Sequence, residues 1–221
     1  MHPIGYIQSD FKEKFGIPRQ SGRTSLPARV VFEGEYKNPD CFRGIEAFSH
    51  LWILFDFSKA HRDKFSPTVR PPRLGGNTRV GVFASRSPFR PNPIGLSCVR
   101  LLAVEKTDNG VALIIEGADL LDGTPVYDIK PYIPYADCRP EAIGGYADEH
   151  ATDSLEVIFP EGLLAQIPET KRAGLIECLR DDPRPSYQDE PERVYGMKFG
   201  DFDLKFTVKD GVLTVLQLKR I

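Results

Sequence analysis

Residues 67–97 read PTVRPPRLGGNTRVGVFASRSPFRPNPIGLS, the part of the chain densest in arginine, glycine and proline together. Pro71-Pro72 and Gly75-Gly76 interrupt any helix and hold the backbone in extended or turn conformations. Arg79–Ala84 (RVGVFA) then predicts a short strand, and after it Pro88, Pro91 and Pro93 stiffen a loop that orders at little entropic cost. The wider segment from Lys64 to Val104 carries seven basic residues (Lys64, Arg70, Arg73, Arg79, Arg86, Arg90 and Arg100) and no Asp or Glu. The 221-residue chain has a net charge of −2, so the remainder carries −9 and this segment is a positive zone hidden by the overall balance. Two readings are open: a rim that presents guanidinium groups to an anionic ligand, or a proline-rich loop with solvated arginines.

Strand-length apolar runs separated by turn residues flank this zone. Ile4–Gln8 and Ala28–Glu33 are strand candidates, and SHLWILFDF (49–57) predicts a strand buried on both faces. Leu96–Lys106 and Val111–Glu116 predict a hairpin turned at Asn109-Gly110. Strands without intervening helices over residues 1–137 argue for an antiparallel barrel or sandwich. LGGNTRVG lacks the G-x-G-x-x-G spacing of a doubly wound nucleotide fold, so that class is excluded. Between Arg139 and Asp153 the composition shifts to glycine, alanine and acids, which places a domain boundary there. Beyond it, a strand in SLEVIF, helix from Pro160 to about Asp182, and the strands VYGMKF, DFDLKFTV and VLTVLQLKR predict a small α+β unit with an Asp210-Gly211 hairpin turn.

Composition narrows the class further. With 41% hydrophobic and 27% charged residues the chain reads as an ordinary soluble protein. The longest apolar run, Leu51–Phe57, contains Asp56 and is too short to span a bilayer, so no membrane association is expected. The N-terminus has no basic region followed by an apolar core, which argues against a signal peptide. Cys41, Cys98, Cys138 and Cys178 lie 57, 40 and 40 residues apart, and the four histidines show no ligand spacing, so reduced thiols, a cytoplasmic location and no metal are expected.

The central run, with FRGIEAFSHLWILFDF before it and DLLDGTPVYDIKPYIPY after it, closely resembles the TsaA-like family, also called TrmO. These are bacterial S-adenosylmethionine-dependent tRNA methyltransferases, and the likeness extends from IGYI near the start to the closing strands. The resemblance implies a mainly β fold, with a single-sheeted antiparallel β-barrel over residues 1–140 and a smaller C-terminal α+β domain over 150–221 that contacts tRNA. It implies that S-adenosyl-L-methionine is held by Pro18, Arg19 and Gln20, by Ser58 and Lys59, by Arg86 and Leu96, and by the turn Asp119, Leu120, Leu121 and Asp122. Ser58-Lys59 departs from the family's pattern at that position. The DPRPSY string (182–187) reads either as a helix stop with its loop or, given the resemblance, as a substrate contact. A homodimer is also implied.

The acceptor implied is N6-threonylcarbamoyladenosine beside the anticodon of threonine tRNA. Its amine is a weak nucleophile whose lone pair is delocalised, whereas a sulfonium methyl is strongly electrophilic, so alignment is the protein's main task. Asp128, or another of the clustered Asp119, Asp122 and Asp128, is the candidate proton acceptor. The same acids read equally well as an ion-pair rim. A threonyl carboxylate suits an arginine fork, with Arg86 and Arg90 as candidates and phosphates left to Arg70, Arg73 and Arg79. Asn92, followed by Pro93 in the order of the amine clamp of other adenine methyltransferases, completes the catalytic candidates. Competing readings are a methyltransferase of a small molecule and a non-catalytic RNA-binding barrel.

Overall fold

The computed structural model describes residues 1–107, 110–151, 153–184 and 190–221. Its strands are β1 (Gly5–Gln8), β2 (Pro27–Phe32), β3 (His50–Asp56), β4 (Thr68–Val69), β5 (Val80–Gly81), β6 (Ile94–Thr107), β7 (Gly110–Glu116), β8 (Pro125–Pro131), β9 (Glu156–Ile158), β10 (Tyr195–Phe199), β11 (Phe202–Lys209) and β12 (Val212–Arg220). Six of them close into an antiparallel barrel in the order β1-β2-β7-β6-β3-β8, which leaves no free edge. Alternate residues point inward: Val30 and Phe32 of β2, Leu51, Ile53 and Phe55 of β3, Leu113 and Ile115 of β7, all buried in one core.

β3 departs from the sequence expectation of burial on both faces. Leu51, Ile53 and Phe55 are buried, but Trp52, Leu54 and Asp56 are only half-buried. A closed barrel has one interior, so the outward residues of its strands are covered only where loops cross them. RVGVFA also diverges: pairing of β4 with β5 ends at Gly81, and Val82–Ala84 form a 3-10 turn. The carbonyl of Val82, which would continue a ladder, instead accepts from Ser85 Oγ at 2.9 Å and Arg90 Nη1 at 3.2 Å. The β6–β7 hairpin pairs down to Thr107 and Gly110, while Asp108 and Asn109 at its tip lie outside the described residues.

A second core lies beneath the four-stranded sheet β10-β11-β12-β9, in which β9 runs parallel to β12. The Asp210-Gly211 turn has positive φ at both positions, 48° and 78°, as the hairpin pattern requires. Helix α1 (Pro134–Asp137) follows barrel strand β8, and α2 (Glu161–Leu164) and α3 (Glu169–Arg180) belong with the C-terminal strands. Leu175, Cys178 and Leu179 of α3 pack with Met197, Phe199, Leu204 and Phe206.

Two members of that second core, Phe11 and Leu26, come from the segment between β1 and β2. The chain therefore leaves the barrel after Gln8, lies on the C-terminal unit, and returns at Pro27. Gly16 permits this path: its φ is +91°, and the Met197 side chain packs where a Cβ would project. Polar contacts follow the same route. Lys171 Nζ donates to Asp10 at 2.8 Å, Lys198 N to Glu13 at 2.9 Å, and Thr24 Oγ1 to the Gly174 carbonyl at 3.0 Å.

At Gly174 in α3 a Cβ would lie 2.5 Å from Leu26 Cγ and 2.9 Å from the Leu26 backbone nitrogen. In an exposed helix, Gly→Ala gains roughly 1 kcal/mol of helix propensity. Here the methyl group would meet backbone that a buried leucine holds in place, and overpacking costs about 1–3 kcal/mol. Gly174→Ala is therefore expected to lower the thermal midpoint, and a rise in that midpoint would show that the junction yields.

Candidate functional site

The ends of β3 and β6, the segment 14–20, the loop 85–90 and the turn 119–124 surround a cavity of about 510 Å³. Each wall has a local cause. Past β3, Phe57 N donates to the Pro93 carbonyl at 2.8 Å and Ala60 N to the Phe57 carbonyl at 2.7 Å, a tight turn that leaves Ser58 and Lys59 exposed on the rim. Phe55 and Phe57 meet edge to face with centroids 4.9 Å apart. The Lys59 carbonyl accepts from Lys14 Nζ at 2.8 Å, which joins this turn to the opposite wall.

That opposite wall holds Pro18, Arg19 and Gln20. Pro18 is buried, and Arg19 Nη2 donates to the carbonyls of Asp182 and Arg184, each at 3.0 Å. Gln20 Nε2 donates to the Arg19 carbonyl at 2.6 Å, and its Oε1 accepts from Arg86 Nη1 at 2.6 Å. Arg86 is thereby fixed across the cavity from the loop that carries it. Arg90 also lines the wall, with Nη1 donating to the carbonyls of Val82 and Ser85 at 3.2 and 2.7 Å. Those bonds shape the loop that contains it.

The floor is formed by Ser97, Leu120, Leu121 and Asp119. The buried Ser97 hydroxyl donates to Asp119 Oδ1 at 2.5 Å. Burial pushes the Asp119 carboxyl above the usual carboxylate range, against the opposing pull of Ser97 and of the Arg86 charge. Asp56 supplies the second carboxylate of the wall. It meets His61 Nε2 at 2.8 and 3.0 Å and accepts a hydrogen bond from the Tyr127 hydroxyl; burial, then the Asp56 charge, raise the Tyr127 phenol.

Most of the residues singled out in sequence meet here: Pro18, Arg19, Gln20, Ser58, Lys59, Arg86, Arg90, Leu96, Asp119, Leu120 and Leu121 all line the cavity. Others lie elsewhere. Asp122 accepts from Ser9 N at 3.0 Å and Lys12 Nζ at 2.8 Å, so it secures the chain after β1. Asp128 accepts from Ile129 N and pairs with Lys130 at 2.8 Å, outside the cavity lining, and Asn92 is exposed in the loop before β6. The clustered aspartates thus separate into one cavity residue, one that ties the turn to the chain after β1, and one in a local ion pair. Arg70 and Arg79 are exposed outside the cavity. The Arg73 side chain and Pro185, Ser186 and Tyr187 of DPRPSY fall outside the described residues.

Sequence reasoning missed Trp52, Phe55, Asp56 and Phe57, which line the cavity from a run read as core. The available signal was Asp56, an acid in an otherwise apolar string. Among the described residues, no three His, Cys, Asp or Glu side chains group as metal ligands would.

The lining suits S-adenosylmethionine. Trp52, Phe55 and Phe57 offer aromatic surface to a purine or a sulfonium, Asp56 and Asp119 are the carboxylates among its described residues, and Lys14, Lys59, Arg86 and Arg90 provide cations for a carboxylate. The volume falls within the roughly 300–1,000 Å³ of small-molecule sites.

Comparison with known proteins agrees with this geometry. Residues 6–138 match the model of the tRNA-methyltransferase O N-terminal domain, and residues 152–221 match that of the TrmO C-terminal domain. A protein of Escherichia coli K12 named tRNA (adenine(37)-N6)-methyltransferase is 42% identical over 225 residues, covering 98% of this chain and 96% of the relative. A Pseudomonas aeruginosa protein, named provisionally as an S-adenosylmethionine-dependent methyltransferase, is 46% identical over 215 residues, 91% of this chain and 89% of the relative. A crystal structure of TrmO from P. aeruginosa superposes with a TM-score of 0.79 at 36% identity, covering 100% of this chain and 96% of the other. With both domain models matched and relatives aligned over nearly the whole chain, the chain belongs to the TrmO family.

Proposed function

We propose that this protein is an S-adenosylmethionine-dependent tRNA methyltransferase that acts on the N6 position of an adenosine beside the anticodon, with N6-threonylcarbamoyladenosine in threonine tRNA as the acceptor. The observation that carries the reading is the convergence of segment 18–20, the turn at 58–59, Arg86, Leu96 and Asp119–Leu121 on one cavity. Bound there, S-adenosylmethionine supplies an electrophilic methyl group.

The residues of the chain do the rest. Pro18, Gln20 and Leu120 shape a dry wall, and Lys59 and Arg86 answer negative charge on the bound molecules. Arg90 braces the loop 82–85 and, with Arg86, faces the anionic substrate. Of the three aspartates in the 119–128 region, Asp119 is the one placed to hold a proton inside the cavity, since its carboxyl titrates above the usual range and already accepts from Ser97. The acid-free segment from Lys64 to Val104 supplies positive surface for the RNA backbone. The enzyme works in the cytoplasm, where its tRNA resides, as a homodimer. Leu96, 56% exposed at the cavity, and Phe83, 77% exposed in the loop held by Arg90, are apolar surface that a second copy would cover.

Purified protein with labelled S-adenosylmethionine, a chelator and total tRNA is expected to label threonine tRNA, with mass spectrometry of the nucleosides finding methylated threonylcarbamoyladenosine. Cofactor binding without any transfer to tRNA would move the assignment to a small-molecule methyltransferase or a non-catalytic RNA-binding barrel.

Asp119 also makes stability depend on pH. A folded-state pKa above the unfolded value of about 3.9 means that the folded protein binds the proton more tightly, so this contribution to stability is present below about pH 3.9 and lost as pH rises through the folded value. Asp119→Asn keeps an acceptor for Ser97 and removes the buried charge. The variant should gain on the wild type in urea unfolding between pH 4 and pH 7 while binding cofactor more weakly, and parallel pH curves for the two proteins would contradict this account.

A further inference from the structure

Arg19 lines the cofactor cavity, yet its polar groups reach away from it, into the C-terminal unit. Its backbone N donates to Asp181 Oδ2 at 3.2 Å, and Nη2 donates to the Asp182 and Arg184 carbonyls. Asp181, the residue just after α3, is buried, with 5% of its side chain exposed. Its other oxygen, Oδ1, accepts from Arg23 Nε at 2.9 Å and Nη2 at 2.7 Å. One buried carboxylate therefore grips two points of the segment that carries Pro18, Arg19 and Gln20. Asp182 follows with a left-handed φ of 51°, and its carboxylate accepts from Arg184 N, Nε and Nη2 at 3.0–3.1 Å. That brace turns the 182–184 carbonyls towards Arg19.

We propose that Asp181 is a positioning residue for the cofactor site: through Arg19 and Arg23 it sets the wall formed by residues 18–20, so the C-terminal unit completes a pocket whose other walls belong to the barrel. The proposal rests on the reading of residues 18–20 as cofactor contacts. The connection continues from that wall, since the Arg19 carbonyl accepts from Gln20, Gln20 accepts from Arg86, and the Arg86 charge acts on Asp119. A carboxylate in the second unit is thus linked by hydrogen bonds as far as Arg86, and from there by charge to the floor of the cavity. The physical case is the cost of the alternative: with Asp181 removed, the Arg23 guanidinium loses its buried partner and the Arg19 N–H its acceptor, and the segment relaxes.

The test is calorimetry of S-adenosylmethionine binding to the full chain without tRNA, beside thermal midpoints and methyl-transfer kinetics. Asp181→Ala should weaken cofactor binding about tenfold and raise the cofactor KM in step, with kcat at saturating cofactor within about twofold of wild type. Asp181→Asn, which keeps an acceptor but not the charge, should fall between the two, and it carries the test if the alanine variant does not fold. Thr24→Val severs the contact from Thr24 Oγ1 to the Gly174 carbonyl at the same junction without touching residues 18–20, so it should lower the midpoint and leave cofactor affinity alone. A folded Asp181→Asn that binds cofactor as tightly as wild type overturns the proposal. So does a Thr24→Val that weakens binding equally for an equal loss of midpoint, since that would be general loosening of the junction. A wild-type protein that binds no cofactor would instead overturn the functional reading on which the inference rests.

Discussion

Phe11 and Leu26 bury their side chains in a core built otherwise from residues after position 154, although both belong to the segment that opens the barrel. Two large apolar side chains taken from water contribute roughly 3–6 kcal/mol, a large share of the about 5–15 kcal/mol by which a folded chain is stable. Whatever lies between those anchors is pinned at both ends to that second core. Pro18, Arg19 and Gln20 lie there, so the wall of the cavity is held by packing at the ends of its segment and by the bonds from Arg19 to Asp181, Asp182 and Arg184.

Closure of the barrel does the complementary work. With β1 and β8 paired, inward positions are filled by Val, Ile, Leu and Phe, and anything polar is forced onto the outer face or the ends of strands. Asp56, the last residue of β3, emerges at the rim where the strand stops being covered, whereas Ser97, paired with Ile53 within the β3–β6 ladder, stays buried at the floor. Asp119 enters the same space from the turn after β7. Burial in this semi-enclosed position raises the Asp119 carboxyl against the opposing Arg86 charge, and the Tyr127 phenol beside Asp56 is raised by burial and then by the Asp56 charge.

The arginine-rich loop divides its charges between architecture and ligand. Arg90 spends one guanidinium nitrogen on the carbonyls of its own loop, whereas Arg86 reaches across to Gln20. Of the two sequence readings, the loop is neither a bare anion rim nor a set of solvated side chains. An arginine that satisfies the carbonyls of a proline-rich turn is what allows such a turn to stand without a strand partner.

The sequence by itself determined the local parts. The strand runs of β3, β7 and β11, the β6–β7 hairpin, the Asp210-Gly211 turn and the absence of a doubly wound pattern are local properties, because strand length and turn chemistry are written within a few residues of one another. The motif strings at 18–20, 86–96 and 119–121 were likewise legible through their resemblance to a family. Tertiary structure alone decided that Asp119 enters the cavity while Asp122 meets Ser9 and Lys12 after β1 and Asp128 pairs with Lys130, since three acids within ten residues look alike until β8 leaves the turn and fixes their directions. It also decided that β3 walls a site with Trp52, Phe55 and Asp56, because an apolar run does not show which of its faces a loop will leave open. And it decided that Asp181 meets Arg19 and Arg23, about 160 residues away along the chain, a contact set by where two cores share one segment and not by any pattern near either residue.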